Sequence, residues 1–130
     1  QDFVDAARIV KAARPETIIR LLGFPVEDAR LGATRAQVDD WVSEGLIEYL
    51  PPVNDVRPVL AAADVMVLPS DYAEGTPRSL LEALALGLPI TTTDRPGCRR
   101  VVDEGKNGLF CKPGSALDLA IHVHFVLILC

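Results

Sequence analysis

Apolar positions along the chain change period repeatedly, and each change marks an element. Residues 2–14 place Phe3, Ala6, Ala7, Val10 and Ala13 at helical spacing, and Pro15 closes the segment. Thr17, Ile18, Ile19, Arg20, Leu21 and Leu22 form a β-branched, apolar run that stops at Gly23, which reads as a strand. Thr34 is suited to cap a second helix over 35–44, with Val38, Trp41 and Val42 on its inner face. Residues 46–50 read as a short strand running into Pro51-Pro52. A helix over 55–63 then leads to residues 64–68, a continuous apolar strand of the kind buried on both faces of a parallel sheet. A loop over 69–75 follows, then a helix over 77–86 stopped by Gly87. A strand over 89–93, a helix over 97–104, a strand over 108–111 and a helix from Ser115 onward complete the pattern. Strands and helices that alternate without hairpin signals predict βαβ crossovers. The fold class is therefore α/β, a Rossmann-like open parallel sheet with helices on both faces.

Composition narrows the function. With 130 residues, 49% of them hydrophobic and 24% charged, the chain suits one domain with a packed core, and disorder is excluded. A formal net charge of −5 argues against nucleic acid as a partner, because such binding draws its affinity from neutralised phosphates. Cys98, Cys111 and Cys130 are odd in number and lack CxxC spacing, so they read as reduced, buried thiols rather than a disulfide framework or zinc site. No signal-peptide pattern opens the chain, and the apolar stretch 123–130, interrupted by His124, is far short of the ~20 residues of a membrane helix. The first residue is Gln1, and the chain ends abruptly on apolar residues, which suggests a fragment.

The chemistry concentrates between Leu68 and Glu82. The order there is strand end, polar loop, Gly75, Thr76, Pro77, helix, and Thr76 reads as the N-cap with Pro77 at the first helical position. Free N–H groups of Arg78 and Ser79 then face out of the helix mouth and form a seat for phosphate, to which both side chains can add donors. Glu74 and Glu82 bracket that seat. With phosphate between them they suit hydroxyls on either side of a diphosphate, as a nucleotide sugar presents. On spacing alone, the plainer reading of Glu82 as a solvated helix residue and Glu74 as a loop charge stays open. Asp71 and Tyr72 lie in the same loop and read equally well as surface residues. No D-x-D occurs, His122 and His124 sit on different helix faces, and neither a G-x-S-x-G elbow nor a Walker A loop is present, so no metal site is expected.

The interval from Glu74 to Glu82 resembles the E-x7-E pattern of the retaining, GT-B-fold glycosyltransferases of family 4, or group 1. Ala63-Asp64-Val65-Met66-Val67-Leu68-Pro69-Ser70 is similar to that family's "aDv.v.PS" strand, and residues 82–90 to its "EAma.G.Pvi" segment. Thr93-Asp94-Arg95-Pro96-Gly97 and Gly105-Lys106-Asn107-Gly108-Leu109 are similar to "tD..G" and "G.nG.l". The likeness covers nearly all of residues 1–118 in consistent order. It implies that Glu74 contacts hydroxyls of the donor sugar and Glu82 the ribose. Amides of Arg78 and Ser79 would hold the diphosphate, with Gly75 and Thr76 lining the sugar pocket. Glu74 then positions the donor, and the main catalytic task is stabilising the departing diphosphate. The substrate implied is a nucleoside-diphosphate sugar, with UDP the nucleotide that family frequency implies, and no cofactor.

Pro77 stands where many relatives carry glycine, and Arg100 where glutamate is common. The family's preceding strand and its basic Arg…Lys loop have no counterpart here. By analogy with a 3-2-1-4-5-6 strand order, the absent strand is the central one. The resemblance also implies an acceptor-binding N-terminal domain outside this sequence. The expected organisation is a nucleotide-sugar-binding Rossmann-like domain over 1–121, the C-terminal half of a GT-B fold with its first strand missing, and an apolar tail over 122–130 from a truncated helix. The expected function is the donor half of a retaining glycosyltransferase acting on a glycan or lipid-linked acceptor, cytoplasmic or peripheral at the inner membrane, with the fragment alone inactive. The competing readings are a non-catalytic nucleotide-sugar-binding or interaction module and a sugar-nucleotide epimerase. Self-association is anticipated through the apolar tail or the open sheet position.

Overall fold

The computed structural model describes residues 1–70 and 75–129, and among these, helices and strands alternate from end to end. Helix α1 (Asp2–Ala13) turns Val4, Ala6, Ala7 and Val10 inward. Strand β1 (Arg20–Leu22) is shorter than the apolar run that predicts it. Helix α2 (Arg35–Ser43) starts at the expected cap. The Thr34 hydroxyl accepts from the Gln37 N–H at 3.3 Å, and Gln37 Oε1 accepts from the Thr34 N–H at 2.9 Å. Val38 and Trp41 are buried, but Val42, expected on the same inner face, is 42% exposed. Strand β2 (Glu48–Leu50) pairs in parallel with β1, Arg20 opposite Glu48 and Leu22 opposite Leu50.

The second half repeats the scheme with α3 (Arg57–Ala61), β3 (Met66–Leu68), α4 (Arg78–Ala85), β4 (Ile90–Thr93), α5 (Pro96–Arg99), β5 (Gly108–Cys111) and α6 (Ala116–Leu129). β3, β4 and β5 form a parallel sheet in that order. β4 is buried along its whole length despite three consecutive threonines. Ile90 joins Leu80, Ala83, Leu88, Cys98, Val101 and Val102 in the core on one face. The Thr92 hydroxyl donates to the Leu68 carbonyl at 2.7 Å, and the Thr93 hydroxyl to that of Ser70. Two side chains of β4 therefore hold the carboxyl end of β3. Gly108 lies so close to β4 that an added Cβ would sit 2.4 Å from the Ile90 carbonyl oxygen.

Ladder hydrogen bonds do not run through all five strands. β1 and β2 make one sheet and β3, β4 and β5 another, and helix α1 packs against both. Its Val4 and Ala7 join Val38, Trp41, Leu46 and Ile47 against β1 and β2. Its Ala6 and Val10 join Cys111, Leu119 and Ala120, with Val67 beside them. Near its C-terminus Lys11 donates to the Gly45 carbonyl at 2.7 Å, just before β2 begins. At its other end Gln1, Asp2 and Phe3 line a cavity of about 150 Å³ together with Pro69, just past β3. α1 thus runs antiparallel to the strands, and both sheets present their carboxyl ends at the edge where α1 starts.

Helix α6 is continuous across residue 121. The Ser115 hydroxyl accepts from the Asp118 N–H at 3.2 Å to cap it, and the Asp118 carboxylate accepts from the Lys112 N–H at 2.7 Å. Val126 is buried, whereas Leu117, Ile121 and Phe125, at i, i+4 and i+8, form an exposed apolar stripe. Cys98 and Cys111 are buried, and Cys130 lies outside the described residues.

Candidate functional site

The carboxyl end of β3 runs through Pro69 and Ser70 toward the mouth of α4. Of the residues singled out in sequence, Glu74, Asp71 and Tyr72 lie outside the described residues. Gly75 and Thr76 are exposed just before the helix, and no atom lies within 4 Å of where a Cβ on Gly75 would be.

The cap differs from the sequence expectation. Pro77, buried and with φ −65° and ψ 123°, is itself the N-cap, and Thr76 lies one residue outside it. The extended ψ of Pro77 delays the first helical turn by one residue, and its carbonyl accepts from the Leu81 N–H at 3.4 Å. A proline offers no side-chain acceptor, so Pro77 gives the helix no side-chain cap. The donors left without intrahelical partners are the N–H groups of Arg78, Ser79 and Leu80. Leu80 was not foreseen in the sequence, because the ψ of Pro77 is not legible there. Three N–H groups at the positive end of a helix dipole suit an anion, and a phosphate fits that geometry.

The helix is fixed from beneath. Leu80 and Ala83 are fully buried against Ile90, Cys98 and Val102, so the opposite face of α4 is turned outward. Arg78 is exposed and Ser79 half-buried. Glu82, half-buried one turn further on, accepts from Arg78 Nε at 3.0 Å. The structure therefore brings Arg78, Ser79 and Glu82 together at the helix mouth, with Gly75 and Thr76 before it.

The next strand end carries a second set of charges. Asp94, just past β4, accepts from Arg99 Nε at 2.6 Å, and that guanidinium holds its carboxyl below the ordinary 3.8. Its N–H donates to the Cys111 carbonyl at 3.0 Å, which ties the turn to β5. Among the described residues no group of three or more His, Cys, Asp or Glu side chains is arranged to hold a metal ion. None of the described helices is long and apolar enough to cross a membrane.

Comparison with known proteins bears on this arrangement. The family described as "Glycosyl transferases group 1" matches residues 1–127. A putative colanic acid biosynthesis glycosyltransferase of Salmonella typhimurium is 32% identical over 124 residues, covering 90% of this chain and 30% of its own length. The N,N'-diacetylbacillosaminyl-diphospho-undecaprenol alpha-1,3-N-acetylgalactosaminyltransferase of Campylobacter jejuni is 35% identical over 88 residues, covering 68% of this chain and 23% of its own. The chain thus spans less than a third of either curated relative. Among solved structures, Anabaena HepE in complex with UDP and glucose superposes with a TM-score of 0.80 at 22% identity, covering 97% of this chain and 34% of that one. The open parallel α/β architecture is that of GT-B glycosyltransferases.

Proposed function

The chain belongs to the group 1 glycosyltransferases, and from that premise we propose that its α4 mouth grips the diphosphate of a nucleoside-diphosphate sugar, with UDP as the nucleotide. The observation that carries this reading is the open end of α4. The N–H groups of Arg78, Ser79 and Leu80, without a partner among the described residues, follow a proline cap at a strand's carboxyl end, with Glu82 one turn inside. Open α/β sheets bind ligands at that edge. The UDP complex of HepE, which shares the fold, supports the choice of nucleotide.

In this reading the three amides and the Arg78 guanidinium neutralise charge on the diphosphate. That charge grows as the sugar–phosphate bond breaks, so the same groups stabilise the leaving group, and they do so without deprotonation of any side chain. Glu82 accepts from ribose hydroxyls, exchanging its contact with Arg78 for them. Glu74 takes hydroxyls of the sugar, and Gly75 and Thr76 line its pocket. No metal is required, because the helix end supplies the positive potential. Transfer proceeds with retention of anomeric configuration onto a glycan or lipid-linked acceptor, at the cytoplasmic side of a membrane.

Because the chain covers less than a third of either curated relative, transfer is expected to need more polypeptide than these residues. The α6 stripe of Leu117, Ile121 and Phe125 supports self-association of the isolated chain, which sedimentation at rising concentration tests. Calorimetric titration with UDP and UDP-sugars, comparing the unchanged chain with Glu82→Ala, tests the site. Saturable binding that Glu82→Ala weakens supports it. UDP affinity unaltered by that substitution would remove Glu82 from the site, and sugar turnover by the chain alone would overturn its dependence on further polypeptide.

A further inference from the structure

We propose that Phe24 is the stacking platform for the nucleobase of the donor, an assignment that rests on the α4 mouth holding the diphosphate. Phe24 is 82% exposed, the most exposed large hydrophobic among the described residues, and Leu31 in the same loop is 69% exposed. An uncovered phenyl ring on a loose loop would mean little. This loop is built. The Tyr49 hydroxyl donates to the carbonyl of Gly23, the residue before Phe24, at 2.7 Å, and the Arg35 guanidinium lies 5.3 Å over the Tyr49 ring. The Val26 N–H donates to the Ala33 carbonyl at 2.9 Å, and Val26 bridges to Thr34, which closes the loop at its base. Within it, Asp28 and Arg30 form a forked ion pair. Gly23 itself has φ +153°, a conformation that side-chain-bearing residues rarely adopt. The ring is therefore held into solvent by a pinned turn.

Its place in the fold supplies the ligand. Phe24 is the second residue past the carboxyl end of β1, and α4 opens past the carboxyl end of β3. Helix α1 packs on both sheets and begins beside Pro69, so the two loops leave the same edge. Val4 and Ala7 meet one sheet and Ala6 and Val10 the other from adjacent flanks of one helix, so the two strand ends lie side by side, within the span of the nucleoside part of a nucleoside diphosphate. With the diphosphate at α4, the base reaches the β1 edge, where Phe24 offers a flat apolar face. Stacking on such a face tolerates any base, so Phe24 supplies affinity for the nucleoside and leaves the choice of base to other groups.

The test separates the base from the diphosphate by titrating the chain with UDP and, separately, with inorganic pyrophosphate. Phe24→Ala is expected to lower UDP affinity about tenfold, within the range of base–aromatic stacking, and to leave pyrophosphate affinity and the melting temperature unchanged. Phe24→Trp is expected to keep UDP affinity and to add an emission that UDP quenches and pyrophosphate does not. The natural Trp41 is buried in the α1–α2 core and provides the background signal. Wild-type UDP affinity in Phe24→Ala would overturn the stacking role. If Glu82→Ala still weakened UDP binding, the donor-site reading would survive that result. A chain that bound neither UDP nor pyrophosphate would overturn both.

Discussion

Arg78 Nε donates to Glu82 Oε1 across 3.0 Å, one turn apart on the helix whose end forms the candidate site, with the two side chains 91% and 30% exposed. A pair this open contributes about 0.3–0.5 kcal/mol to stability. Arg78→Ala and Glu82→Gln are therefore expected to melt within about 0.5 kcal/mol of the parent, so that any loss of UDP affinity in them reports on binding. Thermal denaturation run beside the titrations checks this. A drop several times larger would make the pair structural.

Gly108 is fixed by its neighbour across the sheet. A Cβ there meets the Ile90 carbonyl oxygen at 2.4 Å and Val102 Cγ1 at 3.0 Å, and the first of these is backbone in the central strand. Gly108→Ala is expected to cost about 3 kcal/mol, the upper part of the usual range for overpacking, as measured by urea denaturation.

Two adjacent threonines on β4 are expected to respond in opposite directions. Thr91 Oγ1 is fully buried with no hydrogen-bond partner, so Thr91→Val removes an unsatisfied hydroxyl and should stabilise the chain by about 1 kcal/mol. Thr92→Val strips the donor from the Leu68 carbonyl and should cost about 1 kcal/mol. The same denaturation series measures both, and equal signs would count against the hydrogen-bond assignment.

Acid should weaken the fold through its arginine-paired carboxylates. Hydrogen bonds from Arg30, Arg57 and Arg99 hold Asp28, Asp55 and Asp94 below their ordinary 3.8. Groups lowered in the folded state add stability that is complete above the ordinary value and fades as pH falls through it toward the folded one. All three are exposed, so the effect of each is small. Asp94→Asn should flatten the decline of melting temperature across the acid range, and a slope identical to that of the parent would argue against the Asp94–Arg99 pair in solution.

The sequence carried the architecture further than the site. Apolar or β-branched runs, such as that ending at Leu68 and the threonines of β4, located the strands, because a helix-covered parallel sheet favours such residues. The strand ends differ where flanking residues share that character without pairing, as with Thr17 and Ile18 before β1. Thr34 was legible as a cap because a threonine stands just before a helical period, and the structure adds Gln37, three residues on, as its reciprocal partner. Thr76 looked equally good, yet the ψ of Pro77 displaced the helix start, and nothing in residue type encodes that angle. Val42 matched the helical period but faces outward, since a short helix buries only a narrow stripe. Phe24 carries no mark in the sequence, because exposure is a property of the folded neighbourhood and the sequence shows only a phenylalanine after glycine.

Helix α1 is the shared support of two sheets whose facing edges form no common ladder. Amide protection across the molecule should therefore divide at that seam. Fraying of one twelve-residue coil would release the β1–β2 unit from the β3–β5 unit without breaking a single interstrand bond. A ligand lying across the seam would act as a second clasp, and its arrival would be felt most as slowed exchange in α1 itself.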